Sequence, residues 1–199
     1  MQISWKPTLV FIWELVKMII IALVIIVPIR YFLVQPFFVQ GASMDPTFAD
    51  GQYLVIDEIS YRFRSPVRGE VVVFKYPYST TNEYFIKRIV GLPNETVKVL
   101  NNQITIKNQD NPDGIVLKEP YLSPSLRTDS SEKTEWTLKS DEYFLMGDNR
   151  TVSRDSRWFG PIQKKYVTGR VWFRAFPFST AEVFSVPPNP APTLLPILK

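Results

Sequence analysis

Residues 96–107 read Thr-Val-Lys-Val-Leu-Asn-Asn-Gln-Ile-Thr-Ile-Lys, and the reading of this stretch decides the fold class. Two runs of alternating apolar and polar residues flank Asn101 and Asn102, which supply the positive-φ positions that a two-residue hairpin turn needs. That turn places Val99 opposite Ile104 and Val97 opposite Ile106. All four apolar side chains then share one face and the lysines take the other. Working outward, short β-branched and aromatic runs at 52–59, 70–76, 83–90, 142–146 and 169–176 predict further strands. Helical periodicity is weak throughout this region, so the expected fold is mainly β, built of antiparallel sheets. Residues 108–134 are polar and turn-rich and predict a mobile excursion from the sheet. The tail at 187–199, with its Pro-Pro-Asn-Pro stretch, predicts an extended, exposed end.

Before the β region the character changes. From Leu9 to Val34 the chain is overwhelmingly apolar, and residues 18–29 carry no charge. About 20 residues span a bilayer, so 9–29 is adequate, with Arg30 and Tyr31 as interfacial anchors. Glu14 and Lys17 stand at i, i+3 spacing, where they can face each other on a helix. A retained anchor competes here with a cleaved secretory signal and with a buried core helix. No small-x-small site follows the run, which favours retention. Lys6 on one side and Arg30 on the other give no charge asymmetry, so orientation stays open. The expected organisation is an N-terminal segment with a transmembrane helix (1–34), a β domain (35–186) and a Pro-rich tail (187–199).

Two absences in the 199 residues narrow the chemistry: the chain has no histidine and no cysteine. A Ser-His-Asp triad, a cysteine nucleophile, a His/Cys metal site and a disulfide are all excluded by composition. Any hydrolytic base must be Lys, Asp, Glu or Tyr. The net charge of +4 comes from dispersed cations, which gives no support for a nucleic-acid partner.

Three constellations remain. Gly41-Ala42-Ser43-Met44-Asp45-Pro46-Thr47 is a loop with an accessible hydroxyl, although serines in such loops commonly just form turns. In Tyr84-Phe85-Ile86-Lys87-Arg88-Ile89-Val90-Gly91, strand alternation places Lys87 on one face with Phe85 and Ile89. Burial there lowers a lysine's pKa toward that of a general base; the competing reading is a lysine whose head reaches water along the sheet. Gly147-Asp148-Asn149-Arg150-Thr151-Val152-Ser153-Arg154-Asp155-Ser156-Arg157 is dense in hydrogen-bonding groups, suited equally to turn building and to orienting a catalytic lysine.

Taken together, in this order and at this spacing, the three resemble the motifs of type I signal peptidases. The matching residues are Ser43 to Thr47, Lys87 to Pro93 and Gly147 to Ser156. The resemblance covers the apolar segment and nearly all the β domain. It implies a membrane-anchored serine endopeptidase, with an N-terminal transmembrane helix followed by a β-rich catalytic domain. That domain would remove signal peptides from exported preproteins on the trans side of the membrane, as a single-pass protein. It implies Ser43 as nucleophile, Lys87 as general base and Ser153 as the residue that hydrogen-bonds and orients Lys87. Arg88 with Asp148, and Arg157 with Asp155, are implied as structural ion pairs. Phe37, Val39, Met44, Leu54, Phe85 and Ile86 are implied to line pockets for small side chains at the first and third positions before the cut. The partners are preprotein signal peptides and the lipid bilayer, with no cofactor and no metal.

The chain departs from the family pattern twice. Gly41 stands where some members carry a hydroxyl that helps bind the oxyanion, which leaves the Ser43 backbone N–H, with some other donor or a water, as the expected oxyanion hole. Asn94 stands where glycine is common, and asparagine tolerates the same left-handed bend. A self-cleaving repressor-type protease shares the Ser/Lys logic but not the apolar segment. A catalytically idle, tethered binding domain is the remaining competitor. Proximity of Ser43 Oγ and Lys87 Nζ separates these readings.

Overall fold

A computed structural model describes residues 6–28, 35–123, 125–130 and 132–185. In chain order, helix α1 (Lys6–Pro28) precedes strands β1 (Gln35–Phe38), β2 (Tyr53–Asp57), β3 (Val71–Lys75), β4 (Tyr84–Gly91), β5 (Thr96–Leu100) and β6 (Gln103–Lys107). Then follow β7 (Ile115–Val116), β8 (Glu135–Thr137), β9 (Glu142–Met146), β10 (Ile162–Gln163), β11 (Val167–Phe176) and β12 (Glu182–Val183). Short helices α2 (Ser60–Phe63) and α3 (Ser156–Phe159) fall between strands. All the pairings are antiparallel. The larger sheet has the order β1-β2-β11-β3-β4-β9-β10, with β12 beside β11; the smaller has the order β7-β6-β5-β8.

The hairpin forms in the register its sequence predicts, with Val97 opposite Ile106 and Val99 opposite Ile104. Asn101 and Asn102 adopt φ of 51° and 62°, and Asn94 bends at φ 65°. The four apolar side chains of the hairpin join Trp136 and Leu138 against Val90, Phe144 and Met146. This cluster fastens the smaller sheet to the larger. Gly91 lies at the contact: a Cβ there would come within 2.5 Å of Val97 Cγ2 and 2.8 Å of Phe144 Cβ. Only a glycine lets β4 pass so close to the smaller sheet.

The expected strands at 52–59, 70–76, 83–90 and 142–146 correspond to β2, β3, β4 and β9, while β11 begins earlier than the 169–176 run. Strands β7, β10 and β12 have two residues each, too short to show alternation. Strand β1 falls where the sequence continues its apolar character beyond the N-terminal apolar segment, and pairs with β2. Residues 108–134 do leave the larger sheet, but several of their side chains are tied back to β4 and to the loop that follows β9. Glu119 pairs with the buried Arg150, Thr128 Oγ1 accepts from Arg150 Nη1 at 2.8 Å, and the Arg88 guanidinium stacks 4.0 Å from the Tyr121 ring. The tail at 187–199 lies outside the described residues.

Helix α1 has 23 residues, about 35 Å at 1.5 Å per residue, against about 30 Å of bilayer hydrocarbon. Within it, Leu9–Ile26 has a mean hydropathy of 2.7 and buries no side chain against the protein. That exposure excludes the buried-core-helix reading. Lys17 and Glu14 pair at 2.7 Å.

Candidate active site

Ser43 sits in the turn that joins β1 to β2, and Lys87 in the middle of β4. Their side chains meet: Lys87 Nζ lies 2.7 Å from Ser43 Oγ and donates a further bond to Ile86 O at 2.8 Å. Lys87 is only 3% exposed. Its amine lies 5.5 Å from the Phe85 ring, on the face that strand alternation assigns to both. Burial pulls the ammonium pKa down to about 8, outweighing the opposite pull of the Asp155 and Asp148 carboxylates.

The loop after β9 holds these two elements together. Asn149 N–H donates to Ser43 O at 3.1 Å. Asp148 Oδ1 accepts from Arg88 Nε at 2.8 Å, and its Oδ2 accepts from Arg88 Nη2 and from Thr47 Oγ1 at 2.6 Å each. One buried carboxylate therefore bonds the serine turn and the lysine strand at once. Asp155 does the same for the loop itself. It takes Gly147 N–H at 3.0 Å and Arg157 Nε and Nη2 at 2.8 Å each. Such charge-assisted, multiply bonded carboxylates fix geometry more firmly than neutral contacts.

The Ser43–Lys87 pair lies in a cleft of about 480 Å³. Phe37, Val39, Leu54, Phe85 and Ile86 line it, as do Gly41 and Ala42. Met44 does not: it is fully buried in the core cluster with Val39, Phe48 and Leu54. The turn that exposes Ser43 directs the next side chain inward. Ser153 also departs from its expected role. Its Oγ is buried with no hydrogen-bond partner among the described residues, and Lys87 bonds Ile86 O and Ser43 Oγ instead. Gly41 adopts φ +85° and donates its N–H to Asp50 Oδ1 at 2.7 Å. In that region of φ a serine would be strained, which gives a backbone reason for the missing hydroxyl.

Sequence reasoning missed Val73, Tyr84, Val152 and Arg154, all of which line the cleft. Val73 faces Ile86 across β3 and β4, a register that no local pattern reveals. Tyr84 packs edge-on to Phe37 at 5.5 Å. Arg154 lies within the third motif, where nothing in the local pattern separates it from its neighbours.

An antiparallel β domain whose apolar cleft holds a serine hydroxyl against a buried amine defines the class as a serine peptidase. Residues 12–176 match the family model for signal peptidase, peptidase S26, and the chain belongs to that family. It is 32% identical over 183 residues to signal peptidase IB of Staphylococcus aureus, covering 83% of this chain and 90% of that one. It is 36% identical over 175 residues to signal peptidase I of Bacillus licheniformis, covering 84% and 90%. A crystal structure of a signal peptidase I from Enterococcus faecalis V583 matches 54% of this chain and 97% of its own, at 29% identity and a TM-score of 0.43.

Proposed function

We propose that the chain is a membrane-anchored endopeptidase that cleaves signal peptides from exported preproteins on the trans side of the membrane, with Ser43 as nucleophile and Lys87 as general base. The observation that carries this reading is the 2.7 Å contact between Ser43 Oγ and a lysine amine that burial has made a weaker base. A neutral Lys87 accepts the Ser43 proton as Oγ attacks the scissile carbonyl. The Ser43 backbone N–H is the donor for the oxyanion, since Gly41 has no side chain to offer. Collapse releases the amine of the mature chain, which takes the proton from Lys87, and leaves the signal peptide esterified to Ser43. Lys87 then removes a proton from water, whose hydroxyl attacks the ester. As the ester C–O bond breaks, Lys87 returns that proton to Ser43 Oγ, and the freed signal peptide loses its acid proton to solvent and leaves as its carboxylate.

The cleft favours an extended substrate. Residues 84–87 of β4 pair with β3, whereas the pairing with β9 begins at Arg88. The backbone of this segment is therefore open on its other side to an added strand. Phe37, Val39, Leu54, Phe85 and Ile86 offer apolar walls for the side chains before the cut. Helix α1 supplies the anchor that keeps the cleft near membrane-held substrates.

The test is cleavage of a preprotein with a small-x-small site, in detergent or lipid, by the intact protein and by Ser43→Ala and Lys87→Met. Release of the signal peptide by the intact protein alone is expected. Equal behaviour of all three would leave a tethered binding domain as the better reading.

A further inference from the structure

Among the described residues, Lys87 and Arg154 are the charged side chains lining the cleft, and no described carboxylate lines it. Once Lys87 is neutral, as the mechanism requires, Arg154 is the fixed charge facing a bound substrate. Arg154 forms no ion pair with a described residue. Its guanidinium instead rests 5.9 Å from the Tyr76 ring, itself packed edge-on to Phe159 at 5.3 Å. Neighbouring cations are already committed: Arg150 to Glu119, Arg157 to Asp155 and Arg88 to Asp148. A charge left unpaired on an aromatic support at the mouth of a cleft is available to a ligand.

Its position also gives a direction. Arg154 and Val152 are shared with a second depression of about 410 Å³, walled by Trp158 and Phe159. That depression contains none of the apolar cleft residues of β1, β2 or β4. The apolar part of the cleft includes β1, the first strand after α1, and so suits the hydrophobic segment that shares the bilayer with that helix. The chain beyond the cut then leaves across the Val152–Arg154 wall, toward a tryptophan that is 69% exposed.

We propose that Arg154 is a specificity-determining residue that reads charge in the first three residues after the scissile bond, favouring acidic side chains and disfavouring basic ones. The inference rests on the peptidase reading above. A partly exposed charge pair is worth a modest factor, so glutamate should exceed lysine at the sensitive position by about tenfold in kcat/KM. The ratio should shrink as salt rises, because the rim is solvated.

The experiment measures kcat/KM for the full-length protein in detergent on preproteins carrying Glu, Gln or Lys at each of the first three positions after the cut, and at the second position before it. The same set is run with Arg154→Gln and Arg154→Glu. The expected result is a Glu-over-Lys preference at one position after the cut, abolished by Arg154→Gln and inverted by Arg154→Glu. An unchanged ratio in Arg154→Glu at all three positions overturns the proposal, as does an inversion confined to the position before the cut. If the intact protein cleaves the Gln substrates without charge discrimination, only this inference fails. If it cleaves none of them, the peptidase reading falls and takes the inference with it.

Discussion

Lys87 is where burial and chemistry are most closely linked. The unfolded chain holds this lysine at an ordinary pKa of about 10.4, while the fold brings it to about 8 by burial. In the proposed mechanism the base must be neutral, so kcat/KM should rise with pH through about 8 and fall about tenfold per unit well below it. A pH–rate profile that is flat from 6 to 9 would remove Lys87 from that role. The same shift governs stability. Below pH 8 both states bind the proton, and the folded state carries the full cost of a buried ammonium. Between 8 and about 10.4 only the unfolded chain keeps the proton, so this contribution rises with pH; above that window the cost is gone. The shift corresponds to about 3 kcal/mol. Lys87→Met should therefore be more stable than the parent at pH 7 by up to that amount, with the gap closing toward pH 10 in urea unfolding. A gap independent of pH would mean that packing, not charge burial, sets the difference.

Among the elements, the loop after β9 decides whether Ser43 and Lys87 can meet, and Gly147 is its tightest point. A Cβ on Gly147 would lie 2.2 Å from Ser153 Oγ and 2.4 Å from Ser43 O. The second contact is with backbone and cannot be relieved by a rotamer change. Gly147→Ala should lower kcat by about a hundredfold, since displacements of about 1 Å at a reacting centre have that effect, while circular dichroism still shows a folded β domain. Adding Ser153→Gly removes one clash and leaves the one with Ser43, so it should not restore activity. Restoration would show that the nucleophile turn yields easily. This loop also marks the limit of what the sequence discloses. Val97 to Ile106 could be placed by pattern because a two-residue turn fixes register locally. The three motifs could be found because each lies within a few residues of chain. Met44 could not be assigned to the core, because adjacency to Ser43 does not say which way a turn points its next side chain. Glu119, Tyr121 and Thr128 gave no local signal, since they act through Arg150 and Arg88 far along the chain.

At the level of the whole molecule, the proposed function requires the cleft to be presented to membrane-held substrates, and the surface carries a feature suited to that. Rings of Phe38, Tyr53, Phe176 and Phe178 follow one another at centroid distances of 5.0, 6.1 and 5.7 Å across β1, β2 and the end of β11. All four are exposed, Phe178 at 82%. The row includes β1, the first strand described after α1, so with α1 in the bilayer as proposed it lies close to the interface. There, rings can bury their faces without leaving water entirely. Phe176 and Phe178 lie outside the cleft, which makes them the clean positions to change. Partial burial of each ring is worth about 1 kcal/mol, so Phe176→Ser with Phe178→Ser should slow cleavage of a bilayer-inserted preprotein in liposomes by up to about thirtyfold. Cleavage of a short soluble peptide by the same full-length variant in detergent should be unchanged. If both substrates slow together, the rings support the fold of β11. If neither slows, α1 alone suffices to hold the domain against the membrane.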